Sequence, residues 1–444
     1  MDRYKAYKDS GVEWIGEIPV GWETSVFSHV CSASLGKMLT KEPKTDVSFA
    51  APYLKAANLQ ENGFALANLQ NMYFEPDEAE QYRLDKGDLL VVEGGSVGLA
   101  HVWDSSIENC YIQNALHRVR PREGFSSYYL KYCLDTARNS GYIDLVCNKA
   151  TIAHFTKEKL LATPLAVPSL EEQQAIADFL DTKTAEIDGL VADCEREVEL
   201  LQEYRKAAIS EVVTKGLDPN APMKDSGVEW IGEIPEGWAA TSLQRIGVTI
   251  EQGWSPSPAR DWVDGCWGVL SLSAIKNGHF LPNEVKPVSI EEKIPLGLKL
   301  QNGDLLVTRS NTRELVGDAC LVNHVDDRTV FSDLIYRLTL SASTIDSKFA
   351  LYALLSVSTR VQFAANAKGS SGTMPKINHR IIKQLRICLP PLIDQRAIVA
   401  YLDAKTAEID SLIDSKRQMI EKLREYRKSL ISEAVTGKFK VPGV

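Results

Sequence analysis

QQAIADFLDTKTAEIDGLVADCEREVELLQEYRKAAISEVVTKG, residues 173–216, returns at 395–438 as QRAIVAYLDAKTAEIDSLIDSKRQMIEKLREYRKSLISEAVTGK, without a gap and with 23 of 44 positions identical. From Glu171 to Thr214 there is no proline and one internal glycine, Gly189. Apolar residues fall at Ile176, Leu180, Ile187, Leu190, Cys194, Leu201, Tyr204 and Ala208, close to a heptad seam. The copy carries Ile398, Leu402, Ile409, Leu412, Leu423, Tyr426 and Leu430. Pro168 and Pro390-Pro391 stand just before the two runs, where helices start. The pattern predicts two helices of roughly forty residues, each about 60 Å long at 1.5 Å per residue.

Working outward, a second repeat precedes each half: KDSGVEWIGEIPVGW at 8–22 and KDSGVEWIGEIPEGW at 224–238, differing at Val20 and Glu236. Between the repeats the halves diverge, apart from the echo of Gly87-Asp88-Leu89-Leu90-Val91 in Gly303-Asp304-Leu305-Leu306-Val307. The chain reads as a tandem duplication whose joints stayed alike while its domains drifted apart.

Such a stripe can pack on its own domain, and that is the commoner fate. Three features favour pairing of the two helices instead. Each is too long for one small domain to cover, and Lys183 and Lys405 interrupt the seam at equivalent places. The formal charge also divides unevenly: of −9 in all, −4 lies in 1–169, −7 in 170–216, 0 in 217–391 and +2 in 392–444. Opposite balance favours a hetero-pair. A second domain of about 170 residues has a diameter of roughly 40 Å, too little to bridge comfortably a rod of parallel helices, so the pairing is expected to be antiparallel. The expected fold is α+β, with two globular domains (1–168 and 217–390) separated by an antiparallel coiled coil of helices at 169–216 and 391–444. An internal pseudo-two-fold then relates the halves as a circular tandem repeat.

With 44% hydrophobic and 25% charged residues, the 444-residue chain has the composition of a soluble protein of two or three domains. No stretch reaches the length of a membrane span and MDRYKAYKDSG lacks the apolar run of a signal peptide, so a cytoplasmic address and no membrane partner are expected. The eight cysteines never take C-x-x-C spacing and are expected to be reduced, mostly buried apolar residues, with no metal site. Strands are expected at 52–59, 87–92, 268–275 and 333–340, and helices over Ser126–Ala137 and Ser347–Thr359.

The segment KDSGVEWIGEIPxGW, the GDLLV run, KGSSGTMPKI at 368–377, the Pro-Ser-Leu-Glu-Glu-Gln start at 168–173 and LPPLIDQ at 389–395 closely resemble the specificity subunit of type I restriction-modification enzymes. The resemblance covers essentially the whole chain, and the order of variable domain and repeated helix, twice, is its specific part. It implies two target-recognition domains that each read half of a split, asymmetric DNA sequence, and a helical rod that spaces them. It also implies docking of two methyltransferase subunits and two motor-nuclease restriction subunits. S-adenosylmethionine, ATP and Mg are then expected on those partners, with no cofactor in this chain.

Reading double-stranded DNA needs donors and acceptors on loops that can enter a groove. The candidates in the first domain are Lys37, Lys41, Lys44, Lys55, Asn58, Lys149 and Thr151. Those in the second are Arg260, Lys276, Asn277, Arg309, Asn311, Arg313, Lys368, Ser370, Ser371 and Lys376. The first-domain counterpart of KGSSG, CNKAT, lacks both glycines, so the two loops need not share a contact geometry. Repeated helix residues off the seam, Glu186, Glu203 and Arg205 with Glu408, Glu425 and Arg427, offer two equivalent docking patches, or solvated faces held by i,i+4 pairs.

No catalytic constellation emerges, so no catalytic residue is expected. There is no G-x-x-x-x-G-K-[ST], no H-E-x-x-H, and Gly94-Gly95-Ser96-Val97-Gly98 lacks dinucleotide spacing. Pro390-Pro391, between Leu389 and Leu392, is not the Asn/Asp-Pro-Pro-aromatic motif of aminomethyltransferases. Two other readings stay open: a specificity subunit of a methylation-only or other phage-defence assembly, and a coiled-coil scaffold whose domains bind protein.

Overall fold

The computed structural model describes residues 2–147, 154–257, 259–368 and 374–444, which form two compact units: 1–194 with 418–444, and 195–417. In the first unit, all four side chains of Leu89–Val92 are buried. Side chains alternate across a strand, so Leu89 and Val91 feed one core with the helix Ser127–Asn139, while Leu90 and Val92 feed another with Leu54, Leu59 and Trp103. Each such burial is worth about 1.5–3 kcal/mol, which holds the run inside an antiparallel four-stranded sheet. Its order is Ala100–Val102, Leu89–Val92, Leu116–Pro121, Cys31–Leu35. A three-stranded sheet joins Tyr111–Ile112, Phe49–Leu54 and Asn71–Phe74, the first pair parallel.

The second unit repeats this order strand for strand: Ala319–Leu321, Leu305–Thr308, Ile335–Thr339 and Thr249–Gln252 in one sheet, and Thr329–Phe331, Gly268–Leu270 and Val285–Pro287 in the other. Leu305 and Val307 again feed one core, and Leu306 the other. The mixed helix and strand content agrees with the α+β expectation.

Three local expectations need correction. The stretches 52–59 and 268–275 are not unbroken strands, because each contains a turn of 3-10 helix, Ala56–Asn58 and Leu272–Ala274. In the first, the Asn58 side chain accepts from the Lys55 N–H (3.0 Å) and donates to the Ala65 carbonyl (2.9 Å), outcompeting the strand ladder. The helix expected over 347–359 breaks at Ser356, whose ψ is 150°. The Ser356 hydroxyl donates to the Ala353 carbonyl (2.7 Å), and the next N–H, of Val357, donates to Ser210 (2.8 Å) on the long helix.

The two repeats are continuous helices, Leu170–Lys215 and Leu392–Val435. Within the first unit, Tyr129 donates to the carbonyls of both Ala166 (2.9 Å) and Val435 (3.1 Å), and Arg427 pairs with Asp188 at 2.9 Å. As one helix advances the other returns, so their packing there is antiparallel. Within the second unit, Lys416 pairs with Glu197 and Arg205 with Asp410 at 3.0 Å, in the same antiparallel sense.

The seam itself is shifted from the expected one. Leu190, Tyr204, Leu412 and Tyr426 are 46–53% exposed, while Thr184, Ile187, Cys194, Thr406, Ile409 and Ile413 are buried. Steps of four and three from Leu180 pass through Val191 and Arg205, and those from Leu402 through Ile413 and Arg427. Two arginines therefore occupy heptad positions that apolarity alone does not reveal.

What ties each domain to its helices is duplicated side chain by side chain. Trp22 donates to Glu172 (3.0 Å) as Trp238 donates to Asp394 (3.3 Å). Gln173 accepts from the Ser126 N–H and donates to the Pro168 carbonyl; Gln395 accepts from the Asp346 N–H and donates to the Pro390 carbonyl. Tyr132 donates to Asp181 (2.5 Å) beside Thr184, and Tyr352 to Asp403 (2.9 Å) beside Thr406. Burial pushes the Tyr352 phenol up to about 12 and the Tyr132 phenol further, so both remain donors at neutral pH.

The N-terminal segment closes the first unit against the end of the second helix: Lys440 donates to the Asp2 carbonyl, and Gly437 (φ 67°) lies under Pro19 and Trp22. In the second unit Gly216 (φ 78°) lies under Pro235 and Trp238. A left-handed glycine after a helix both ends it and admits the ring.

Candidate nucleic-acid interface

In both units the strand formed by the GDLLV echo, Leu89–Val92 or Leu305–Thr308, ends at one edge, where three segments meet. The residue following the strand, Glu93 or Arg309, donates its N–H to the carbonyl of Ala115 (2.9 Å) or Leu334 (2.7 Å), and its own carbonyl accepts from Phe155 (2.8 Å) or Ile377 (2.9 Å). Gly36 and Gly253 cross the same edge so closely that a Cβ would lie 2.2 and 2.1 Å from the Gln113 and Ser332 carbonyl oxygens. Only glycine fits there without a backbone shift. Asn114 and Asp333 then donate N–H groups to the carbonyls of Lys37 (2.8 Å) and Trp254 (3.1 Å).

Side chains at this shared edge differ. In the second unit Arg309 is held by the Asp333 carbonyl (3.2 Å) and carboxylate (3.6 Å). Lys368 and Lys376 exchange backbone hydrogen bonds, Ser310 bridges to Lys376, and the Asn311 N–H donates to the Pro375 carbonyl (3.4 Å). Arg309, Asn311, Lys368 and Lys376 are thus brought together, with exposed His379 and Arg380 beyond them at the start of the helix His379–Gln384. In the first unit Gly94 bridges to His154, and exposed Lys157 starts the helix Lys157–Ala162. Cations flank the edge in both, suited to phosphates, while polar groups on the edge suit bases.

Other candidates lie elsewhere. Lys37 is buried, paired with Glu78 and 5.2 Å from the Phe74 ring centre, and burial lowers its ammonium pKa; it is a core ion pair. Asn58 is spent on its 3-10 turn. Lys55 donates to Gln70 (3.2 Å). Lys41 and Lys44 are exposed on the loop that leaves Gly36, pinned at Ser48 and Glu75.

Asn277 (φ 52°) forms a hairpin turn whose N–H donates to buried Asp318 (2.6 Å), and with Lys276 it lines a cleft against Arg205 and Asp410 of the long helices. Burial raises the Asp318 carboxyl pKa. Arg313 lines a neighbouring cleft of about 570 Å³ with Arg205 and Arg360. Arg260 is exposed on a separate loop. Lys149, Thr151, Ser370 and Ser371 lie outside the described residues.

Of the helix residues, Glu186 and Glu408 are exposed and bonded to Lys183 (2.7 Å) and Lys405 (3.0 Å), and Glu203 and Glu425 are exposed as well. Arg205 and Arg427 turn instead to the facing helix, with side chains 12% and 30% exposed, because their aspartate partners lie there. The edge also gathers Glu93, Gln113, Asn114 and Asp333, which were not among the sequence candidates. The signal that could have found the first was the position just after the echoed strand, where Glu and Arg stand opposite in the two copies.

Among the described residues no helix is long and apolar enough to cross a membrane, and no group of three His, Cys, Asp or Glu could hold a metal. All eight cysteines are free and buried.

Comparison with known proteins agrees with this duplicated design. The chain is similar to the StySPI specificity subunit of a type I restriction enzyme from Salmonella potsdam, 24% identical over 433 residues that span 95% of this chain and 90% of the relative. It is similar to the EcoKI specificity subunit from Escherichia coli at 23% over 434 residues, 95% and 90% of the two chains. A solved chain from work on assembly and conformational transition of the type I R-M system shares the fold, with a TM-score of 0.67 at 18% identity over 95% of this chain and 99% of that one. The family model for the type I restriction modification DNA specificity domain matches residues 19–199 and 286–422, and with that match across most of both halves the chain belongs to the type I restriction-modification DNA specificity family.

Proposed function

We propose that this chain reads a split, asymmetric DNA site, one half with residues 1–168 and the other with 217–390, and that the helices within 169–216 and 391–444 set the spacing between the halves. The observation that carries the reading is a strand order and a set of helix anchors that repeat closely, combined with reading edges whose side chains do not. Two unlike readers on one scaffold suit two unlike half-sites, as paired readers suit half-site spacing. Phosphate contacts come from the rims at Lys157 and at Lys376 and Arg380; Lys41 and Lys44 serve the first domain's loop.

The same proposal gives the chain two methyltransferase subunits and two motor-nuclease subunits as partners, which carry S-adenosylmethionine, ATP and Mg. Each unit presents, at repeated positions on helix segments that also carry an Arg–Asp bridge, the same exposed leucine, tyrosine and pair of glutamates: Leu190, Tyr426, Glu186 and Glu425 in the first, Leu412, Tyr204, Glu408 and Glu203 in the second. Equivalent patches suit two copies of one partner. The test is DNA binding by the chain assembled with its methyltransferase partner, at several salt concentrations. Sequence-dependent retardation that weakens with salt supports the proposal; binding to protein alone, with no DNA preference, refutes it.

A further inference from the structure

The residue after the echoed strand holds one backbone position in both units, with its N–H and carbonyl bonded to equivalent neighbours at 2.7–2.9 Å. Its side chain inverts from acid to base. A carboxylate such as that of Glu93 offers only acceptors, whereas a guanidinium such as that of Arg309 offers only donors. The neighbour across the edge changes with it: Asn114 in the first unit and Asp333 in the second occupy matching places, and Asp333 fixes the guanidinium through its carbonyl at 3.2 Å. An Arg so held is pre-organised, which reduces the entropy lost on making two parallel hydrogen bonds.

In the major groove, donors from Arg match the O6 and N7 acceptors of guanine, and a carboxylate matches the amino group of cytosine. Building on the reading above, we propose that Glu93 and Arg309 are equivalent specificity-determining residues, Arg309 selecting a guanine in one half-site and Glu93 a cytosine in the other. A mismatch at such a contact costs enough to change discrimination roughly ten- to hundredfold. The two positions act independently, because each belongs to its own domain's edge.

The test uses the full chain co-purified with its methyltransferase partner and maps the bases it requires on a randomised duplex library. Arg309→Gln is expected to shift one position of one half-site from guanine toward adenine, leaving the other half-site unchanged; Glu93→Gln is expected to alter one position in the opposite half-site. Arg309→Lys, which keeps the charge but loses the fork, is expected to relax that same position without a new preference. This milder variant also covers the case in which Arg309→Gln fails to assemble. An unchanged motif in Arg309→Lys and Glu93→Gln overturns the residue assignment while leaving the domain reading intact. If exchanging the whole of 217–390 for another domain also leaves the motif unchanged, the reading beneath it has failed instead.

Discussion

The helix anchors and the candidate edges of this chain were duplicated together, yet the first are nearly identical between the units while the second invert in charge at one position, Glu93 in one and Arg309 in the other. Trp22 and Trp238, Gln173 and Gln395, and Tyr132 and Tyr352 each repeat one hydrogen-bonding device. Each is buried or half-buried, and a buried polar group left without its partner costs about 1–3 kcal/mol. A change on one side of such a contact is therefore penalised at once. At the edge, the backbone bonds of Glu93 and Arg309 are the same in both units, whereas their side chains differ, Arg309 alone being held by its neighbour Asp333. If the edge reads DNA as proposed, fold and target are then carried by different atoms of the same scaffold.

The comparison can be broken most drastically through the helices. Inserting one heptad into each helix at equivalent positions is expected to lengthen the spacer by about 10 Å, or about three base pairs, with both half-sites kept. Mapping the methylated motif of the insertion variant checks this, and a changed half-site would mean that the helices do more than measure distance.

Next in size are the edge glycines. Gly36→Ala and Gly253→Ala each place a methyl group against a backbone carbonyl, and each is expected to cost about 1–3 kcal/mol and to weaken recognition of one half-site only. Thermal unfolding and half-site binding measure the two effects. A comparable loss at both half-sites from either variant would show that the edges are not independent.

The bridging arginines sharpen the comparison further, because they are equivalent but not equally covered. Arg205→Ala is expected to destabilise by about 1.5–3 kcal/mol, the range for hydrogen bonds to charged groups, and Arg427→Ala by less, since its side chain is 30% rather than 12% exposed. Denaturant midpoints of the two variants give the ranking. The smallest expected difference is between the tyrosines: Tyr132→Phe and Tyr352→Phe each remove a hydroxyl that bonds an aspartate carboxylate beside a threonine, worth about 1.5–3 kcal/mol, and the two losses, measured by denaturant midpoints, should match.

Much of the architecture could be read from residues alone because it rests on periodicity. The heptads of 173–216 and 395–438 announced long helices, and unequal charge argued for pairing. The seam was displaced because Leu190 and Tyr204 are apolar yet exposed, while Arg205 is charged yet turned inward to Asp410; hydropathy carries no information about an inward ion pair. The echo Leu89–Val92 and Leu305–Thr308 gave two central strands, but sheet order depends on contacts between distant segments and was not legible.

The candidate edge was legible in part. Arg309, Asn311, Lys368 and Lys376 stand in donor-rich loops and do converge, through backbone bonds of 309–311 to 375–377 and of Lys368 to Lys376. Lys37 and Asn58 looked the same in sequence and are consumed by Glu78 and by a turn. A lysine's role depends on whether a carboxylate from a remote helix reaches it, here one in Pro76–Tyr82. Glu93 was not among the sequence candidates because donors were sought there and an acid offers none.

Whether one scaffold is used twice with unlike readers is decided by sequencing that detects methylated adenines across the genome of a host carrying this chain and its methyltransferase partner. Two different half-sites separated by a fixed run of unspecified bases are expected. A continuous palindrome, or two identical half-sites, would contradict the proposal.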